Sequence, residues 1–207
     1  MNKILAFSDL HLDARTCNVV RFDELSGQLE RIKEIAIAER VDTAVFCGDA
    51  CDPDSQLTIR CIERLCEFAY ELGNVGVSTV WMNGNHDVVQ DGYDTSTLSP
   101  IGWVHADSVV VDKPSLVRGV GFLPYPSQSK VIDLSHAITT FPNNQSLIFG
   151  HLNIDGVAGH SESNEMARGI KHYWPAEAIA KHCPGAMLIG GHYHVGEAHV
   201  VKHKLGQ

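Results

Sequence analysis

An α/β fold is what the sequence predicts, on three observations. Short apolar runs alternate with amphipathic stretches of helical period in the first half of the chain, strand and helix signals continue beyond it, and polar clusters rich in Asp, Asn and His stand just after the apolar runs. A length of 207 residues, 44% apolar and 20% charged, suits one globular domain, 1–207, with a sizeable core. No internal repeat, low-complexity tract or linker divides it.

Residues 3–8 form an apolar run that stops at Ser8 and Asp9, the pattern of a buried strand feeding a loop. Phe22, Leu25, Leu29, Ile32, Ile35 and Ile37 then recur mainly at three- and four-residue intervals, predicting a helix over 22–39. The unit repeats, with a strand over 43–47, a loop over 48–57 and a helix over 58–72 whose apolar face carries Ile62, Leu65, Ala69 and Leu72. A third strand, 77–82, ends at the turn-forming pair Asn83-Gly84. Such units imply crossovers with helices covering a mostly parallel sheet. Val104–Val111 and Leu116–Leu123 contain β-branched residues with no clear helical region between them, which predicts adjacent antiparallel strands. A short helix over 129–139, a strand over 146–149 ending at Gly150-His151, a helix over 175–183, and strands over 187–189 and 198–202 complete the expectation. Trp81, Met82 and Phe122 read as core, and Pro124-Tyr125-Pro126 as a rigid exposed turn.

Composition removes several functional classes. The longest apolar runs fall far short of the eighteen or so residues that span a bilayer. An acidic residue, Asp9, interrupts the short apolar start, so no secretory signal is expected and cytoplasmic residence is. Six cysteines without a CxxC pair read as buried thiols in a reduced compartment. A formal charge of −9 argues against a surface built throughout for a polyanion, although bound divalent ions would reverse the sign locally.

The clusters after the strands are Asp9-Leu10-His11, Gly48-Asp49, Gly84-Asn85-His86-Asp87, Gly150-His151 and Gly191-His192-Tyr193-His194. Taken singly, each has an ordinary reading as a cap, turn or loop start, while His192 and His194 share one strand side and suit shared metal coordination. Together they supply carboxylates, imidazoles and an amide carbonyl, a donor set suited to Mn, Fe or Zn at an N/O site. Loops at the carboxyl ends of strands converge in α/β folds, so ligands distant in sequence meet there.

In this order the clusters resemble the motifs of the calcineurin-like metallophosphoesterase superfamily, and they span residues 9–194. The resemblance implies a four-layer αββα sandwich of two mixed sheets. It also implies two divalent metal ions, with Mn the leading fit ahead of Fe, Zn or Ni. One ion would be held by Asp9, His11 and His194, and the other by Asn85, His151 and His192, with Asp49 bridging. His86 would stand beside the phosphate as a catalytic group, oriented by Asp87, and Asp52 would support the loop. Two cations about 3.5–4 Å apart hold a bridging hydroxide at neutral pH for in-line attack on phosphorus.

Phe7-Ser8-Asp9-Leu10-His11-Leu12, Gly150-His151-Leu152-Asn153-Ile154-Asp155-Gly156 and Leu123-Pro124-Tyr125-Pro126 look most like the SbcD-type branch of DNA repair exonucleases and related phage proteins. That branch implies a phosphodiesterase acting on DNA beside a coiled-coil ATPase partner, here expected without the extra capping domain of the long members. A small-molecule phosphatase or cyclic-nucleotide phosphodiesterase is the alternative, and a non-catalytic metal-dependent scaffold a further one. His160 and Arg168 lie in a polar segment, 158–171, that reads as a solvated loop or a cover over the pocket.

Overall fold

The computed structural model describes residues 3–13, 19–51, 59–88, 96–125, 134–154, 173–174 and 176–192. Strands β1 (Ile4–Phe7), β2 (Thr43–Phe46), β3 (Ser78–Met82) and β4 (Ser108–Val111) form the first sheet in that order, every neighbouring pair parallel. Helices α1 (Val19–Ala38) and α2 (Ile59–Asn74) supply its crossovers. The second sheet runs β10 (Met187–Gly191), β7 (Leu147–His151), β6 (Val120–Leu123), β5 (Ser115–Val117), and is mixed because β5 and β6 are antiparallel. A two-stranded ribbon pairs β8 (Asn153–Ile154) with β9 (Tyr173–Trp174).

Side-chain alternation along the strands sets the layers. Phe46 and Trp81 face α1 and α2, together with Leu29, Leu65 and Phe68. Val45, Val80 and Met82 point the other way, onto Phe122 and Phe149 of the second sheet. Ile148, next to Phe149, faces a third cluster with Ala137 of α3 (Leu134–Ala137), Ile138 and Phe141 beyond it, and Ile179 of α4 (Ala176–His182). Helices, sheet, sheet and helices therefore stack as four layers. The inter-sheet face is closed by the stacked rings of Phe122 and Phe149, whose centroids lie 5.6 Å apart.

Three local readings change. Val104–Val111 and Leu116–Leu123 are not an antiparallel pair, since β4 joins the first sheet parallel to β3 and Leu116–Leu123 is largely a hairpin in itself. Its two-residue turn, Arg118 (φ 52°) and Gly119 (φ 81°), has both central residues at positive φ, the geometry that matches strand twist. On α1 the buried face is Phe22, Leu29 and Ala36, leaving Ile35 and Ile37 about half exposed because a 3.6-residue period admits Ala36 instead. Tyr125 is buried rather than exposed. Residues 198–202, along with His194, Asp52, His160 and Arg168, lie outside the described residues. Among the described residues no helix is long and apolar enough to cross a membrane.

Candidate metal centre

Both sheets end at one place. The loops after β1 and β2 are zipped together by backbone bonds from Asp9 N–H to Gly48 O (3.0 Å), His11 N–H to Asp49 O (3.0 Å) and Leu12 N–H to Ala50 O (2.8 Å). Asp9, His11, Asp49 and His192 all have positive φ (56°, 47°, 58° and 90°), a conformation that L-residues resist and that persists where surrounding contacts enforce it. Gly48 (φ 98°) and Gly84 are glycines for a steric reason: a Cβ on the first would fall inside the His151 ring, and on the second against the Asp49 carboxylate.

Asp49 sits in the middle, almost fully buried. Its Oδ2 lies 3.1 Å from His151 Nε2, 3.9 Å from His11 Nε2 and 4.0 Å from His86 Nε2. Two groups with a metal-ligating spacing follow, His11 with Asp49 and His86, and Asp49 with His151 and His192. Asp49 is common to both. Asn85 Oδ1 joins the second group, 3.1 Å from His151 Nε2 and 3.0 Å from His192 Nδ1. Asp9 lies outside both groups, its two carboxylate oxygens accepting the His192 backbone N–H at 3.1 Å.

The imidazole of His151 is fully buried, and its Nδ1–H donates to the Cys47 carbonyl (2.7 Å). A carbonyl only accepts, so this bond sets the ring so that Nε2 faces Asp49, the usual means by which a metal-binding histidine is oriented. The same carbonyl accepts from Ser8 Oγ at 3.0 Å, a support that the sequence signals only through the short Phe7-Ser8-Asp9 string. His86 differs: its Nδ1 is buried with no hydrogen-bond partner, and its ring stands edge-on to His11, centroids 4.8 Å apart.

Asp87 does something other than orient His86. Its fully buried carboxylate accepts from the backbone N–H groups of Asp49 (2.7 Å), Ala50 (3.0 Å), Cys51 (3.4 Å) and Gly84 (2.9 Å), so it ties the loop bearing Asp49 to the loop bearing Asn85 and His86.

In the protein without metal, burial works against charging the Asp49 carboxyl, but the His151 charge and hydrogen bond, with His86, hold it well below the usual range. Burial likewise opposes the charged His151, yet Asp49 and then Asp9 raise it to about 9. Burial and the neighbouring Asp49 charge push Asp87 up to about 7 in spite of its N–H donors. Burial, then Asp9, pushes the Cys47 thiol far up, which leaves it a neutral thiol beside the cluster.

Oxygen and imidazole donors converging on one shared, negatively charged carboxylate fit two divalent ions of the Mn, Fe or Zn kind. Among solved structures, a Pseudomonas putida nuclease, MPE, is similar at 15% identity and a TM-score of 0.40, the match covering 73% of this chain and 62% of that one. The chain thus spans less than two thirds of that structure's length. Among curated proteins none matches. The sequence model of the calcineurin-like phosphoesterases matches residues 2–196, nearly the whole chain. On that match the chain belongs to the calcineurin-like phosphoesterase family.

Proposed function

We propose that the chain is a two-ion phosphodiesterase whose substrate is DNA and whose native ion is manganese. The observation that carries the two-ion part is the position of Asp49, whose carboxylate belongs to both ligand groups at once. Asp9, His11 and His194 would hold one ion and Asn85, His151 and His192 the other. When bound, the pair supplies Lewis-acid charge for the phosphate oxygens and lowers the pKa of the attacking water.

The chain's own residues do the rest. The Cys47 carbonyl keeps His151 Nε2 directed at the centre, and Asp87 holds the two loops in register. His86, untied at Nδ1 and 29% exposed in its side chain, is suited to donate to a phosphate oxygen or to the leaving oxygen. The DNA assignment is supported by the likeness of residues 7–12 and 150–156 to repair exonucleases. With a net charge of −9, the substrate phosphate would be engaged at the ion pair rather than along a broad basic surface. The same likeness supports a coiled-coil ATPase partner, and the buried thiols of Cys47 and Cys183 support residence in the cytoplasm.

Metal-free protein reconstituted with manganese, offered single-stranded DNA, a small diester and a small monoester, tests the reading against a D49A background. Manganese-dependent DNA cleavage absent from D49A is the expected result. Cleavage confined to a small ester would replace DNA by a small-molecule substrate, and two bound ions without turnover on any of them would favour a scaffold.

A further inference from the structure

Tyr125 follows β6 and is 3% exposed. Its ring lies against two of the candidate ligands, with centroids 6.4 Å from His151 at an interplanar angle of 73° and 5.9 Å from His192 at 42°. The two imidazoles are themselves 5.0 Å apart at 66°, so the three rings form one cluster. His11 and His86 form a separate edge-on pair. Among the described residues the aromatic wall therefore serves one ligand group.

Its backbone is fixed to that same group. Tyr125 N–H donates to the Asn83 carbonyl (3.0 Å), and the Asn83 side chain accepts from Ser96 Oγ (2.6 Å), which secures the segment leading directly into Gly84-Asn85. Asn85, His151 and His192 come from three different strand ends, and Tyr125 touches or is bonded beside all three. The need is greatest at His192, whose backbone at φ 90° is in a region that L-residues leave when packing permits.

We propose that Tyr125 is a positioning residue for the second ion: its ring fixes the planes of His151 and His192 so that their nitrogens converge with Asn85 Oδ1, setting affinity at that site and not at the other. This rests on the two-ion reading above. Packing by the ring, rather than the phenol, is the active element, so Phe should substitute for Tyr.

Cobalt(II) titration of metal-free wild type, Tyr125→Phe and Tyr125→Leu, followed by calorimetry and visible ligand-field absorption, tests it. Wild type should take up two ions. Tyr125→Leu should weaken one of them by about 10- to 100-fold, the range for residues that orient ligands, with that site's absorption band altered and the other's retained. Tyr125→Phe should restore the wild-type isotherm and spectrum. Two unchanged sites in Tyr125→Leu would overturn the proposal alone, as would equal weakening of both, or a Phe variant no better than Leu. A wild type that binds fewer than two ions would overturn the two-ion reading and this proposal with it.

Discussion

At the level of single residues, Asp49 and His86 should separate cleanly. Replacing Asp49 by Ala removes the carboxylate common to both ligand groups; bound ions, counted by elemental analysis, and turnover should be lost together. His86→Ala should keep its ions and lose about 10²- to 10⁴-fold in turnover, the contribution typical of a positioned acid or base. Asp87→Ala acts on the framework instead. It strands buried N–H donors of residues 49, 50, 51 and 84, each such loss costing about 1–3 kcal/mol. A lowered midpoint in denaturant and weaker metal uptake, with Asp87→Asn in between, are expected. That His11, Asp49, His86, His151 and His192 come near one another follows from each polar cluster ending an apolar run, since such ends converge. Where each side chain spends its second bond was not legible in the sequence. Asp87 beside His86 reads as a natural pair, and only the folded loops reveal that the carboxylate serves backbone 36–38 residues away.

At the level of elements, α1 ends in an unusual way. Val41 N–H reaches Ala36 O (2.9 Å) and Arg40 N–H reaches Ile37 O (3.1 Å), the paired bonds of a Schellman motif, with Val41 and Ala36 both buried in the same core cluster. The left-handed position of that motif is Arg40 (φ 52°), whereas the same pattern at the end of α2 is occupied by Gly76. Arg40→Gly should raise stability by about 0.5–1 kcal/mol, seen as a higher thermal midpoint with unaltered activity. The two helices are further joined by Lys33 to Glu71 (2.6 Å) and Arg64 to Glu30, partly exposed pairs of the kind that salt weakens. Helix positions were readable from apolar spacing because α2 presents Leu65, Ala69 and Leu72 on one face. Sheet membership was not, since the alternation of a strand states that it has two faces and not which neighbour it will pair with. The pattern alone therefore sets β4 beside the β5–β6 hairpin, whereas β4 pairs with β3.

At the level of the whole molecule, the two sheets are fastened at more than their apolar interface. Away from the centre, Arg118 of the β5–β6 turn donates to Ser78 Oγ (2.7 Å) and Asp107 (3.1 Å), reaching from the second sheet to the first. At the centre, Asp49 pairs with His151 across the same boundary. In metal-free protein the two partners have opposite signs of linkage. The depressed Asp49 pKa contributes stability above the ordinary carboxylate value, lost as pH falls below it; the raised His151 pKa contributes below about 6.5, lost as pH rises through about 9. The midpoint of the metal-free form should therefore be highest between about pH 4 and 6.5 relative to Asp49→Asn, in thermal melts across pH. With His151 as a ligand, as proposed, metal uptake would displace its proton, so affinity should rise with pH up to about 9, measurable by titration with proton release.

The bond from His192 N–H to Asp9 joins residues 183 positions apart. In the proposed assignment, Asp9, His11, Asp49 and Asn85 leave the ribosome well before His151, and His192 later still. A partly made chain would thus present ligands without their counterparts, and capture of the second ion would wait until both sheets have docked.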